Sequence, residues 1–269
     1  MIFTLTAKDE CEYYTGTATI NVTNPAESEN CATYNGQKLV LANNIDPNLF
    51  CDINGKSLPL QDGSTIKIED ETKLTSLVIK GFDKNVTTIN KCFLYKCSNL
   101  VSLVLLESSN ITEIGSSFLG YCKSLKTLKL DALCNVVKIN HDFLYQCSNL
   151  TQVDLSPLSK ATSFGNLFLG ECKTLTSVNI EPLRLAFDTM KSVPPYFLFG
   201  CINLTSIDLS PLSNVTKISS CFLSGTSGYE HFIMKLQSID LSPLNKVTTI
   251  GTHFLGECGS LTKIEIPST

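Results

Sequence analysis

The chain has 269 residues, 43% of them hydrophobic, and a formal net charge of −4. That length can bury a sizeable core in one or two domains, and the acidic balance argues against nucleic acid or an anionic membrane as partner, since both want basic patches. The sequence holds no apolar run long enough to span a bilayer, so no membrane insertion is expected.

Residues 1–24 read as two strands, FTLTA and TATINVT, with Gly16 in the turn between them. The opening lacks the basic start and apolar stretch of a signal peptide. The abrupt start and end suggest a piece of a longer secreted protein, with a cytosolic chain as the alternative. NPAESENC, at 24–31, reads as a polar loop. QKLVLA and SLPLQDGSTIKI follow as short strands broken by Asn-Asn, Asn-Gly and Asp-Gly turns. Residues 1–66 are therefore expected to form an N-terminal β cap with a linker, or the tail of another domain.

From residue 67 onward a repeat governs the chain. Phe93, Phe118, Phe143 and Phe168 stand 25 residues apart, and Phe197, Phe222 and Phe254 continue the series. Four residues before each Phe lies an apolar position: Ile89, Ile114, Ile139, Phe164, Val193, Ile218 and Ile250. Four residues after come Cys97, Cys122, Cys147, Cys172, Cys201 and Cys258, and Thr226 breaks that column. Alternating runs follow, such as LTQVDL, LTSVNI and LTSIDL. A fixed period of this size marks a solenoid whose units must stack to bury their apolar faces. Each alternating run is expected to be a strand. Leu150, Val153 and Leu155 would point inward, and Thr151, Gln152 and Asp154 outward. Phe supplies bulk to the core, and Cys behaves there as a small apolar residue.

The pattern C-x-x-L-x-x-[IVL]-x-[IL] followed by F-L-x-x-C resembles the BspA-like, or Treponema pallidum type, leucine-rich repeats. The GTATI stretch at 16–20 is similar to the closing hairpin of bacterial Ig-like domains. The resemblance implies a right-handed leucine-rich-repeat superhelix with a parallel concave sheet, turns or short helices on the convex side, and about eight coils over 67–269. It also implies a surface or secreted protein used in adhesion. The Asn-ladder position of other leucine-rich repeats holds Leu158 and Leu212 here.

Candidate ligand-contacting residues come from the outward columns of the strands. The middle column runs Val78, Val104, Lys129, Asp154, Asn179, Asp208, Asp240 and Glu265. Its neighbours are mostly Thr, Ser and Gln, so the concave face is expected to be hydroxyl-rich with an acidic stripe. Acids in one straight column do not converge on a cation, and no metal or cofactor is expected. Insertions in repeat proteins become loops. One lies between Pro182 and Phe197, and a second holds Tyr229, His231, Phe232 and Met234 as an apolar, aromatic loop.

Three His in different coils make no triad, so no enzyme activity is expected. The Cys column is expected to be buried thiols, while Cys11, Cys31 and Cys51 are the disulfide candidates. The N-x-T triplets mostly fall at repeat positions, at Asn85, Asn110, Asn149, Asn203 and Asn214. The reading that follows is a monomeric binding module for a protein or glycan ligand. The alternatives are a structural spacer and an intracellular scaffold.

Overall fold

The computed structural model describes residues 2–6, 17–21, 32–34, 37–41, 56–59, 65–68, 74–106, 109–225 and 233–266, with side chains from residue 74 on. Strands β1 (Ile2–Thr6) and β2 (Thr17–Asn21) pair antiparallel, Ile2 opposite Asn21. Strands β3 (Ala32–Tyr34) and β4 (Gln37–Leu41) form a second hairpin. A third joins β5 (Lys56–Pro59) to β6 (Thr65–Ile68).

The repeat begins at β7 (Leu74–Ile79) and alternates with short strands: β8 (Thr88–Ile89), β9 (Ser102–Leu105), β10 (Glu113–Ile114), β11 (Thr127–Leu130), β12 (Lys138–Ile139) and β13 (Ser163–Phe164). Beyond them lie α1 (Arg184–Met190), β14 (Ser192–Val193), β15 (Lys217–Ile218), β16 (Ser238–Asp240), β17 (Thr249–Ile250) and β18 (Lys263–Glu265). Strands β7, β9 and β11 pair parallel, as do β16 and β18. The register matches the repeat: Leu103 lies opposite Leu77 and Leu128. A second parallel ladder, which the sequence did not announce, runs β8-β10-β12-β13 and β14-β15-β17. It is built on the apolar position four residues before each Phe.

The expected strands at 150–155, 175–180 and 204–209 are absent; the backbone there lies outside any ladder. Between these runs the backbone bonds Thr176 N to Thr151 O (3.2 Å) and Thr205 N to Thr176 O (3.4 Å) survive, longer than the 2.7 Å of Val101 N to Thr75 O. The cause is local. Asp154 Oδ1 accepts from Ser156 N (2.9 Å), Asn179 Oδ1 from Glu181 N (3.0 Å) and Asp208 Oδ1 from Ser210 N (2.8 Å). Such side-chain turns compete with the ladder, and each opens a 3₁₀ segment: Ser156–Leu158, Glu181–Leu183 and Ser210–Leu212. Asp240 makes the same turn with Ser242 (2.8 Å) yet stays in β16, so the turn loosens pairing without forbidding it. Leu158 and Leu212 are buried residues of these 3₁₀ segments.

The F-L-x-x-C segments form turns, with no helix among them. In all seven described coils the residues flanking the Phe have left-handed backbone, as in Ser117 (φ 61°) and Leu119 (φ 55°) around Phe118. Left-handed backbone costs a non-Gly residue on the order of 1 kcal/mol. Bonds between coils offset that cost. Leu119 N donates back to Phe93 O (2.8 Å), and Tyr121 N donates forward to Tyr145 O (2.8 Å).

The core runs along the stack. Phe93, Phe118, Phe143, Phe168, Phe197 and Phe222 are buried, and Phe93, Phe118 and Phe143 stack nearly parallel with centroids 5.2 and 5.3 Å apart. The Cys column is buried as expected from Cys97 to Cys201, but it does more than fill space. Each thiol from Cys122 on bonds the carbonyl of the left-handed Leu one coil earlier, as Cys122 Sγ does to Leu94 O (3.1 Å). A ladder of Asn side chains does exist, at another position: Asn110 Nδ2 donates to Lys84 O (2.7 Å) and Asn135 Nδ2 to Ser109 O (2.8 Å).

Candidate binding surface

Thr151, Gln152, Asp154, Asn179, Asp208, Asp240 and Glu265 are all exposed, on the side opposite the buried Leu150 and Leu155. Val153 is half-buried. The outward column is not exposed throughout, however. Val78 and Val104 are buried, and they lie outside the main core cluster. They lie opposite each other on β7 and β9, and paired Val favour cover over solvation, so the polar surface starts at Lys129.

The acidic stripe has a structural task. Asp154, Asp208 and Asp240 each spend Oδ1 on a backbone N–H two residues on, and Asp208 Oδ2 also accepts from Ser210 Oγ (2.9 Å). Bonds from the Ser156 side chain and backbone hold the Asp154 carboxyl below the usual carboxylate range. Glu265 is paired with Lys263 at 2.6 Å. In the neighbouring columns Gln152, Ser177, Thr205, Ser206, Gln237 and Ser238 are exposed amides and hydroxyls.

The first insertion is a helix rather than a loop. α1 buries Ala186 and Phe187, the latter against Phe164 with ring centroids 5.2 Å apart. It ends on Lys191 in left-handed backbone (φ 55°). Its outer face, with Ser156, Ser159, Asn179, Glu181 and Pro182, surrounds an open depression of about 600 Å³. There Arg184 forks onto Glu181, Nε to Oε1 at 2.6 Å and Nη2 to Oε2 at 2.7 Å. Leu185 stands bare at 45% exposure, and Asp188 accepts from Asn214 Nδ2 (2.9 Å). Arg184, Leu185 and Asp188 were missed as candidates. The signal was present in the extra residues after Pro182, which the sequence reading took for a loop.

Tyr229, His231 and Phe232, expected in the second insertion, lie outside the described residues, as do Cys11, Cys31 and Cys51. Met234, counted with that insertion, is fully buried in the core. Cys92, Cys97, Cys122, Cys134, Cys147, Cys172, Cys201, Cys221 and Cys258 are free thiols. Burial pushes the Cys201 thiol up to about 12 and Cys258 to about 11. On the turn side, Tyr145 Oη donates to Glu171 Oε1 (2.9 Å), and its phenol is pushed up by burial and then by that carboxylate. His141 Nδ1 accepts from Asn166 N (2.9 Å), which gives it a structural partner. Among the described residues no group of His, Cys, Asp and Glu is placed to hold a metal ion, and no helix is long and apolar enough to cross a membrane.

The chain is similar to three bacterial proteins of known structure. A leucine rich cell surface protein from Faecalibacterium prausnitzii A2-165 is 19% identical, with 84% of this chain and 42% of that one covered and a TM-score of 0.40. The Treponema pallidum leucine rich repeat protein is 14% identical, with coverage of 77% and 88% and a TM-score of 0.44. A leucine-rich repeat protein from Eubacterium ventriosum ATCC 27560 is 14% identical, with coverage of 74% and 62% and a TM-score of 0.38. The chain thus spans less than half of the first of these. None of the curated proteins compared matches it. The family model described as BspA type leucine rich repeat region (6 copies) matches residues 67–186 and 179–269, and the chain belongs to that family.

Proposed function

We propose that this chain is a non-enzymatic binding module of a surface or secreted protein, adhesin-like, which holds a protein or glycan ligand against its polar strand face. Its stacked coils wind as a right-handed solenoid, with that face concave. The residues before 67 cap the first coil: β3 and β4 both pair with β7, on the edge away from β9.

The observation that carries the reading is the depression beside α1. It joins Asn179, from the outward column, to the bare Leu185 and to the Arg184–Glu181 fork. An apolar side chain ringed by polar groups matches the layout of an interface, with an apolar centre and a polar rim. The hydroxyl and amide columns extend the contact along neighbouring coils. The acidic stripe shapes the turns that hold those columns.

Binding to host matrix proteins and to arrayed glycans tests the proposal, with Leu185→Asp and Gln152→Arg compared against wild type. Loss of about tenfold or more in affinity is expected from Leu185→Asp, as for a central anchor, with a smaller loss from Gln152→Arg. Unchanged binding by both variants, or no wild-type binding to either class, overturns it.

A further inference from the structure

The flank that carries the second parallel ladder is basic. In four successive coils a Lys stands five to eight residues before the core Phe: Lys160, Lys191, Lys217 and Lys246 precede Phe168, Phe197, Phe222 and Phe254. All four are exposed, and none makes an ion pair with a described residue. Lys160 Nζ donates to Asn135 Oδ1 (2.7 Å) and Lys246 Nζ to Asn214 Oδ1 (2.6 Å), neutral acceptors that leave the charges uncompensated. Lys160, Lys191 and Lys217 have coils stacked on both sides, so their exposure belongs to the flank and not to an end of the chain. The carboxylates bonded into this flank, among the described residues, are already engaged. Glu113 pairs with Lys138 (2.8 Å), and Asp188 accepts from Asn214 Nδ2 (2.9 Å).

Hydroxyls lie between the charges. Thr162 Oγ1 donates to Val137 O (3.1 Å), Thr216 Oγ1 to Lys191 O (3.2 Å) and Thr248 Oγ1 to Thr216 O (3.2 Å). With its donor spent on the backbone, each oxygen keeps lone pairs that accept from outside. The pitch of the charges follows from the rings beneath them. The ring centroids of Phe168, Phe197, Phe222 and Phe254 succeed one another at 5.9, 6.1 and 5.6 Å, so one ammonium group is offered per step of that size.

We propose that this flank binds a linear acidic polysaccharide, one carboxylate per sugar, laid along the stack over Lys160, Lys191, Lys217 and Lys246. A 1,4-linked sugar advances its polymer by about one coil, so successive carboxylates meet successive Lys. The Lys stand in three staggered columns on long, flexible stems, and so reach carboxylates on either edge of the polymer. Sugar hydroxyls donate to the Thr oxygens. A DNA strand fits less well, because its phosphates follow about every 3.4 Å against one Lys per coil, and it has no sugar hydroxyls to donate. The strand face, with Asp154, Asp208 and Asp240, repels the same polymer and confines it to the flank. This inference goes beyond the ligand-binding proposal and does not depend on it.

Titration of the 269-residue chain with polymannuronate, which has one carboxylate per sugar, tests it. Binding is expected at low salt and should weaken as salt rises. Hyaluronate, with a carboxylate on every second sugar, should bind about fivefold more weakly or worse. Lys160→Glu and Lys217→Glu should each lower polymannuronate affinity about tenfold. Lys91→Glu and Lys96→Glu reverse exposed charges beside the first Phe turn and should leave the affinity within about twofold. All four substituted side chains are exposed, so circular dichroism and melting curves should match wild type. No wild-type binding to polymannuronate, equal or tighter binding of hyaluronate, dextran or oligo-dT, indifference to Lys160→Glu and Lys217→Glu, or equal losses from all four substitutions overturns the proposal.

Discussion

Cys147 Sγ lies 3.2 Å from the carbonyl oxygen of Leu119, one coil earlier. That carbonyl also accepts Cys122 N at 3.2 Å, and Leu119 itself has left-handed backbone with φ 55°. The thiol therefore ties down a strained turn as well as filling the core. The oxygen keeps its bond from Cys122 N, so losing the weak thiol donor and its buried volume together costs about 1 kcal/mol. Cys147→Ala should lose that much in urea unfolding, and Cys147→Ser, which keeps a donor, should lose less. Equal or greater loss in the Ser variant would reduce the column to packing alone.

The buried thiols also predict a response to alkali. Cys201 and Cys258 are pushed up to about 12 and about 11 from an ordinary value of 9.0, and Cys122, Cys147 and Cys172 rise well above it, all chiefly through burial. Above pH 9 the unfolded chain releases these protons while the folded chain keeps them. Their stabilising contribution is thus whole below pH 9 and declines as pH climbs toward 11 to 12. The urea midpoint should fall steadily across that window and stay flat from about pH 7 to about pH 8.5. A thiol reagent at about pH 8 should label the half-buried Cys92, Cys134 and Cys221 well before the buried column. Early labelling of Cys147 or Cys172 would contradict the buried arrangement.

The repeat was legible because its period is carried by large, unmistakable residues. Phe, Leu and Cys at fixed offsets gave the stacking, the buried faces and the register of the parallel ladders. The second ladder was hidden because each strand has only two residues, too few to show alternation. The interruption of the first ladder was hidden for another reason: LTQVDL has the alternation of a strand, and only the Asp154 turn to Ser156 pulls the chain away from it. The same turn gives the acids of that column a structural task that residue type alone did not announce. α1 was missed because seven helical residues are fewer than sequence periodicity can resolve.

Glycine at the third position before Phe makes a sharper test of coil-on-coil contact. A Cβ on Gly115 would sit 2.4 Å from Lys91 N, and one on Gly251 2.4 Å from Ser220 N, both backbone atoms. One on Gly120 comes closest to the Tyr95 ring, at 3.1 Å. Gly115→Ala and Gly251→Ala must push adjacent coils apart and should each cost about 2–3 kcal/mol, in the range of overpacking. Gly120→Ala should cost well under half of that. Thermal melts of the three variants check the ranking, and similar losses in all three would refute it.

The Asp turns offer a prediction that separates structure from binding. Asp154 and Asp208 satisfy the backbone N–H of Ser156 and Ser210 at the start of a 3₁₀ segment, much as a helix cap does. Asp154→Ala and Asp208→Ala should each lose about 1 kcal/mol of stability, while the Asn variants lose a few tenths, since Asn179 already makes this turn with Glu181. The folded-state carboxyl of Asp154 is lowered by its bonds to Ser156. Its contribution is therefore present above the unfolded carboxylate value and fades as pH falls through the lowered one. Denaturation of wild type and Asp154→Asn at about pH 7 and about pH 2.5 reads this directly, with wild type expected to lose more on acidification than the variant. If the Ala variants keep full stability yet lose ligand, the carboxylates contact the ligand after all; if they lose stability and keep ligand, the acidic column belongs to the fold.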